Sequence, residues 1–199
     1  MPRIREVRFT DLEDVVHIHL SAFDRFFLSS MGPSFLREFY KAVLLDKSNV
    51  AIIAVQGGSV AGFAVGTITP EGLYRRMLPN RGYRLLLASV LPILKQPQTV
   101  PRLLRRLLMA GNVIYKPGQA LLMSLAVDPA RQREGIGRDL VLGFLEEAKN
   151  RGATSVSLTT DRDGNETANQ FYLRLGFSFS GSFKAPEART MNEYRKMVC

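Results

Sequence analysis

The sequence predicts a single α/β domain spanning 1–199, with a helical insertion over 70–112. Three observations predict it. Short apolar runs with strand character (4–10, 49–68, 119–127, 153–160, 177–183 and 192–198) alternate with stretches whose apolar residues recur at helical spacing. A chain of 199 residues suits one domain and suffices for a sizeable core. At 46% apolar and 23% charged, the composition is that of an ordinary soluble globular protein.

Each element has its own signal. In "IREVRFT" (4–10), Ile4, Val7 and Phe9 are interleaved with charges, as in a half-buried strand. Asp11 is expected to cap the helix "LEDVVHIHLSAF" that follows. "GPSFLREFYKAVLLD" (32–46) places Pro33 near a helix start, with Phe35, Leu36, Phe39 and Val43 at helical spacing. Residues 49–68 are two apolar runs around Gly57-Gly58, a hairpin. In 70–112 prolines at 70, 79, 92, 97 and 101 divide leucine- and arginine-rich pieces, which predicts two or three short amphipathic helices. "QALLMSLAV" (119–127) returns to a strand, and a helix is expected from about Gly135 to Asn150, with Leu140, Val141, Phe144, Leu145 and Ala148 as its apolar stripe. A strand carrying Val156 and Leu158, a short helix ending at Gly176 and two closing strands complete the chain.

Composition narrows the function classes. The single cysteine, Cys199, allows neither an intrachain disulfide nor a cysteine metal cluster, and suits a reducing cytoplasm. The N-terminus has acids and no apolar core, unlike a signal peptide, and "LLLASVLPIL" (85–94) is far short of a membrane span. The net charge is +9, and its placement is uneven. From Gly72 to Val127 there is no Asp or Glu, whereas Arg75, Arg76, Arg81, Arg84, Lys95, Arg102, Arg105, Arg106 and Lys116 fall there and match the whole excess. A field so confined points to an anionic acceptor or an anionic membrane surface, set against the plain reading of a solvated face. Nucleic acid is not expected, because no binding module is present and the insertion's aromatics are few.

"VDPARQREGIGRDLV" (127–141) sets two glycines where a helix should begin. Unpaired N–H groups and partial positive charge at a helix N-terminus hold anions, and glycine lets a phosphate reach the backbone. The stretch lacks the lysine of a Walker loop and the third glycine of a dinucleotide fingerprint. "LAVDPARQREGIG" instead resembles the pyrophosphate loop of the GNAT superfamily of N-acetyltransferases, V-x-P-x-x-x-x-x-G-x-G. "NETANQFYLRLGF" matches a second family pattern, N-x-x-A-x-x-x-Y-x-x-x-G-F, through Asn165, Ala168, Tyr172, Gly176 and Phe177. Asn165, Ala168 and Tyr172 would share one helical stripe.

The resemblance implies a GNAT-like mixed, mostly antiparallel sheet flanked by helices, and direct acetyl transfer from acetyl-CoA to an amine, with no metal. It implies that the backbone N–H groups of Gln132, Arg133, Glu134, Gly135, Ile136, Gly137 and Arg138 hold the pyrophosphate. Leu125, Ala126 and Val127 would pair with the pantetheine arm, Asn165 would bond it, and Tyr172 would protonate the departing thiolate. Many relatives carry a glutamate base on the strands flanking the loop; here those strands offer Met123, Ser124, Thr159 and Thr160, which leaves Asp161 or Asp163 at a strand end, with Asp161 the chosen candidate. Phe26, Phe27 and Met31 fall where the family builds its acceptor pocket. The expected acceptor is an amino sugar or other small amine. The alternatives are a peptide or ribosomal protein, or a membrane-surface or regulatory protein that binds coenzyme A without turnover. The expected location is the cytoplasm or its membrane periphery.

Three other patterns carry less. His17 and His19, two apart on a helix, face apart, so one packs and one is solvated. "DRDGNET" fails as a calcium loop at Glu166 and Tyr172. "NET" is a glycosylation sequon by spelling alone.

Overall fold

The structure is a computed structural model that describes residues 2–23, 27–95, 115–185 and 189–198. Seven strands form one sheet: β1 (Arg3–Glu6), β2 (Asn49–Gln56), β3 (Ser59–Thr67), β4 (Gln119–Val127), β5 (Ser155–Asp161), β6 (Ser178–Lys184) and β7 (Thr190–Met197), in the order β1-β2-β3-β4-β5-β7-β6. Every pair is antiparallel except β4–β5. The helices are α1 (Leu12–Ala22), α2 (Phe27–Ser30), α3 (Gly32–Leu45), α4 (Leu73–Lys95), α5 (Ile136–Asn150) and α6 (Glu166–Arg174). The expected sheet and flanking helices are thus present.

Two cores sandwich the sheet. Leu140, Val141, Phe144 and Leu145 of α5, with Tyr172 of α6, pack on one face against Ile52, Ala64, Leu122 and Leu158. Val15 and Val16 of α1 and Phe35, Leu36, Phe39 and Val43 of α3 pack on the other, against Ile53, Phe63 and Val65. The strand period of two sends alternate residues to each core.

Two expectations change. Asp11 begins α1 without a side-chain cap; its carboxylate turns back to accept from the Arg8 amide at 2.7 Å and from both Arg5 guanidinium nitrogens at 2.7 and 2.8 Å. A nearby guanidinium is the stronger partner for a buried carboxylate. The insertion's first part is one helix, α4, continuous through Pro79 and Pro92. An internal proline costs about 3 kcal/mol, and the tertiary anchoring of α4 offsets it. Leu73 is buried in the second core, and Leu85 and Ala88 pack against it. Arg76 bonds Asp46 at 2.9 Å and the Thr69 carbonyl at 2.6 Å. Tyr83, Leu87, Val90 and Leu94 stay exposed. Residues 96–114, with Arg102, Arg105 and Arg106, lie outside the described residues.

The β4–β5 junction positions everything that follows. The two strands pair in parallel only over Gln119–Leu121 with Ser155–Ser157, and then part. Gln119 donates to the Ser157 hydroxyl at 2.8 Å, and Ser157 donates to the Ala120 carbonyl at 3.3 Å, which ties the closed end. Opposite, the β3–β4 register slips between Val65 and Gly66, leaving Met123 as the extra residue of a bulge. Gly66 lies beneath this bulge with no room for a side chain: a Cβ there would meet the Leu121 carbonyl oxygen and stand 2.5 Å from the Phe144 ring. Gly66→Ala should therefore destabilise the fold by roughly 1–3 kcal/mol or more, read as a lower urea midpoint at unchanged slope; a midpoint equal to the parent's would show that α5 can retreat freely.

Candidate active site

Below Leu121 the β5 side of β4 has no strand partner among the described residues, so Leu122–Val127 presents an open backbone edge. A cleft of about 420 Å³ occupies the gap. Leu122, Met123, Ser124 and Leu125 form one wall; Leu158, Thr159, Thr160 and Asp161 form the other. Asn165, Ala168 and Tyr172 of α6 line it together, as their spacing predicts. His19, Phe23 and Leu28 close the α1–α2 side, and Arg189 and Met191 the β7 side.

The glycine loop sits at the open end of β4. Asp128 and Pro129 turn the chain, with the Asp128 carboxylate accepting from Ala130 N at 3.0 Å. Arg133 and Gly135 both take positive φ, 69° and 83°. A left-handed arginine is strained by about 1–3 kcal/mol, a cost that persists only where surroundings impose it. Here Arg131 donates to the Gln56 carbonyl at 2.9 Å and Gln56 donates to Glu134 at 3.1 Å, latching the loop to the β2–β3 hairpin. No side chain caps α5, so the amides of its first turn lack intrahelical partners. Gln132, Arg133, Glu134, Gly135 and Arg138 are exposed, Gly137 is half-buried and Ile136 is buried beneath them. A Cβ on Gly137 would lie 3.5 Å from Phe171 and 3.6 Å from Val127, between β4 and α6. Loop and edge together can hold an anion and an extended chain that adds beside Leu125–Val127.

Tyr172 is 8% exposed, packed edge-on against Phe171 and Phe177 at 5.1 and 5.7 Å. Burial pushes its phenol well above the ordinary range, so it keeps its proton at neutral pH. Its hydroxyl makes no hydrogen bond with the described residues. Asn165 stands at the N-cap of α6 yet its side chain makes no capping bond and faces the cleft. Asp161 offers both carboxylate oxygens to Arg189, at 2.8 and 3.0 Å. Asp163 is exposed. Met31 is a buried core residue, 24–26 are outside the described residues, and no group of three or more His, Cys, Asp or Glu residues among those described could hold a metal.

Two features lay beyond the sequence reading. Asn169 is a buried hub: its Oδ1 accepts from Thr160 at 2.6 Å, Tyr194 at 2.8 Å and Asn192 at 3.2 Å. Its Nδ2 donates to the Asn165 and Asp161 carbonyls at 2.8 and 3.0 Å, binding α6 to β5 and β7. The signal was available, since Asn169 is the polar residue on the stripe of Asn165 and Tyr172. The second is His19. His17 is exposed and His19 is 2% exposed, as expected of residues two apart. His19 Nδ1 lies 2.7 Å from the Tyr40 hydroxyl, which also bonds Ser124 on the cleft wall. Nε2 is buried and has no partner among the described residues.

Burial lowers the His19 pKa from 6.5 to about 4. The unfolded chain then binds the extra proton first, so this group's contribution to stability is present above about pH 6.5 and is lost as pH falls towards about 4. Urea titrations across that window should show a pH dependence in the parent, of order 3 kcal/mol by linkage, that His19→Phe removes; identical pH profiles would mean that His19 is not held neutral.

The site thus joins parted strands, an uncapped helix behind a glycine loop and a buried phenol. The acetyltransferase (GNAT) family model matches residues 12–177, and the chain belongs to that family, a class of acyltransferases. It is 38% identical over 60 residues to the [ribosomal protein bS18]-alanine N-acetyltransferase of Escherichia coli K12, a match spanning 30% of this chain and 40% of that one. The crystal structure of the ribosomal-protein-S18-alanine N-acetyltransferase from Escherichia coli superposes with TM-score 0.62 at 19% identity, covering 100% of this chain and 94% of that one. PaiA N-acetyltransferase from Thermoplasma acidophilum, solved with coenzyme A, gives 0.59 at 15%, covering 98% and 99%. These likenesses establish the fold. Among the described residues no helix is long and apolar enough to cross a membrane.

Proposed function

We propose that the protein transfers the acetyl group of acetyl-CoA directly to a primary amine. The observation that carries this is the open edge of β4 running straight into the uncapped start of α5. An extended arm ending in a pyrophosphate fits that surface: Leu125, Ala126 and Val127 offer main-chain partners, Gln132–Arg138 offer amides, and Gly137 leaves the passage beside Phe171 clear. Asn165, whose side chain makes no capping bond, lines the same cleft.

Acetyl-CoA supplies an activated thioester. The chain's residues supply position and protons. Amides of the β4 edge polarise the carbonyl as charge develops on it. Tyr172, kept protonated by burial and without a hydrogen-bond partner among the described residues, donates to the leaving sulfur. Asp161 is the carboxylate on the cleft wall; acting as base, it would exchange one Arg189 hydrogen bond for one to the amine. The acceptor we propose is a peptide N-terminus, because the Escherichia coli relative's name specifies alanine of a ribosomal protein. The apolar wall of Phe23, Leu28 and Met191 suits a small side chain beside that amine. An amino sugar is the second reading. The excess charge of 72–127 supports an anionic partner only by its sign.

Acetyl-CoA should raise the Tm, since a ligand of the folded state alone stabilises it. Gly137→Val should keep the unliganded Tm within a few degrees while weakening acetyl-CoA binding at least about tenfold, equivalent to 1.4 kcal/mol; normal binding by this variant would move the cofactor elsewhere. Thiol release is then scored with a peptide bearing a free N-terminal alanine, glucosamine and spermidine.

Tyr172→Phe keeps the packing and removes the proton. Its turnover should fall about 10- to 1,000-fold with acetyl-CoA affinity nearly unchanged. Full turnover would make Tyr172 a packing residue.

A further inference from the structure

The strongest unexplained feature of the cleft is the buried, unpaired Nε2 of His19. A polar atom left without a partner in the interior costs about 1–3 kcal/mol. Its neighbours would accept an apolar ring: Phe23 lies edge-on at 4.9 Å and Phe63 stacks at 6.4 Å. The imidazole is nevertheless fixed by a directed contact, Nδ1 to the Tyr40 hydroxyl, which in turn meets Ser124 on β4. Nδ1 is therefore occupied, and Nε2 is the unpartnered ring nitrogen of a residue that lines the cleft.

We propose that His19 Nε2, rather than Asp161, whose two carboxylate oxygens are held by Arg189, receives the acceptor amine, hydrogen-bonding its N–H and taking that proton as the C–N bond forms, with Tyr40 holding the ring through Nδ1. The proposal rests on the acetyl-transfer reading and names the group that meets the acceptor within it. His19 stands on the α1 side of the cleft and Tyr172 on the α6 side. In the tautomer the proposal requires, Nδ1 carries the hydrogen toward Tyr40 Oη, 2.7 Å away, which leaves Nε2 its lone pair. Burial keeps the ring neutral at physiological pH, so the lone pair is free before the amine arrives. A weak base suffices, because an amine becomes acidic once its nitrogen bonds to a carbonyl carbon.

The protons balance. The amine nitrogen attacks the thioester carbon, and its N–H proton passes to His19 Nε2. The C–S bond breaks, and the thiolate takes the Tyr172 proton. Imidazolium and phenolate then carry opposite charges across one cleft, and one proton returning from His19 to Tyr172 through water resets both. Tyr40 acts through the ring and is a positioning residue.

The test uses the full chain. His19→Asn keeps a polar atom where Nδ1 was and deletes Nε2. It should retain its Tm within a few degrees and its acetyl-CoA affinity. With whichever of the alanine-initiated peptide, glucosamine or spermidine the parent uses fastest, its kcat should fall on the order of 100-fold. Nitrogen-15 NMR of histidine-labelled parent gives a readout that needs no variant: His19 should show a protonated Nδ1 and an unprotonated Nε2. A protonated Nε2 in the resting chain, or a variant kcat within about threefold of the parent's, overturns the proposal. Failure of the parent to bind acetyl-CoA, measured separately by thermal shift, overturns the transfer reading itself.

Discussion

The parting of β4 from β5 is the constraint on which the rest depends. A parallel ladder of three residues, tied by Gln119 and Ser157, holds the two halves of the sheet together at one end. Past Leu121 the Met123 bulge re-aims β4, and Gly66 lets α5 sit close beneath it. A sheet that stayed closed would satisfy its own backbone and leave nothing to bind. Once opened, the edge of Leu122–Val127 has hydrogen-bonding groups to offer, and the gap is wide enough for side chains from α1, α6 and β7 to meet.

The open end is then made rigid from two directions. The latch of Arg131, Gln56 and Glu134 holds the glycine loop against the β2–β3 hairpin, which is how Arg133 can be kept in a left-handed conformation. Asn169 holds α6 against β5 and β7. Tyr172 is three residues further along α6, so the amide hub also fixes the height of the phenol in the cleft. Of the cations that give the chain its excess charge, Arg76 serves the fold itself, joining α4 to Asp46 at the end of α3.

Much of this was legible in the sequence because local rules decided it. The hairpin at Gly57-Gly58, the α5 stripe and the start of α5 after Gly135 follow from periodicity and glycine geometry. Asn165, Ala168 and Tyr172 fall on one side of the cleft because three and four residues make a helical turn. The misses arose where distant partners outweighed local preference. Asp11 left its cap for Arg5, and α4 continued through Pro79 because its face packs on the α1–α3 core. Arg5 is six residues from Asp11 but on the neighbouring strand, and the core beneath α4 is built from α1 and α3; a pattern of spacing names neither.

The completeness of the Asn169 hub has a chemical consequence. Three donors converge on its oxygen and two carbonyls on its nitrogen, so the amide has one workable orientation. Deamidation would exchange that nitrogen for an oxygen and set a carboxylate against the carbonyls of Asp161 and Asn165, two repulsions where two bonds had been. The same bonds hold the side chain away from its own backbone, the approach through which an asparagine ages. The wall of the cleft is thus protected from slow chemical damage by the contacts that such damage would destroy.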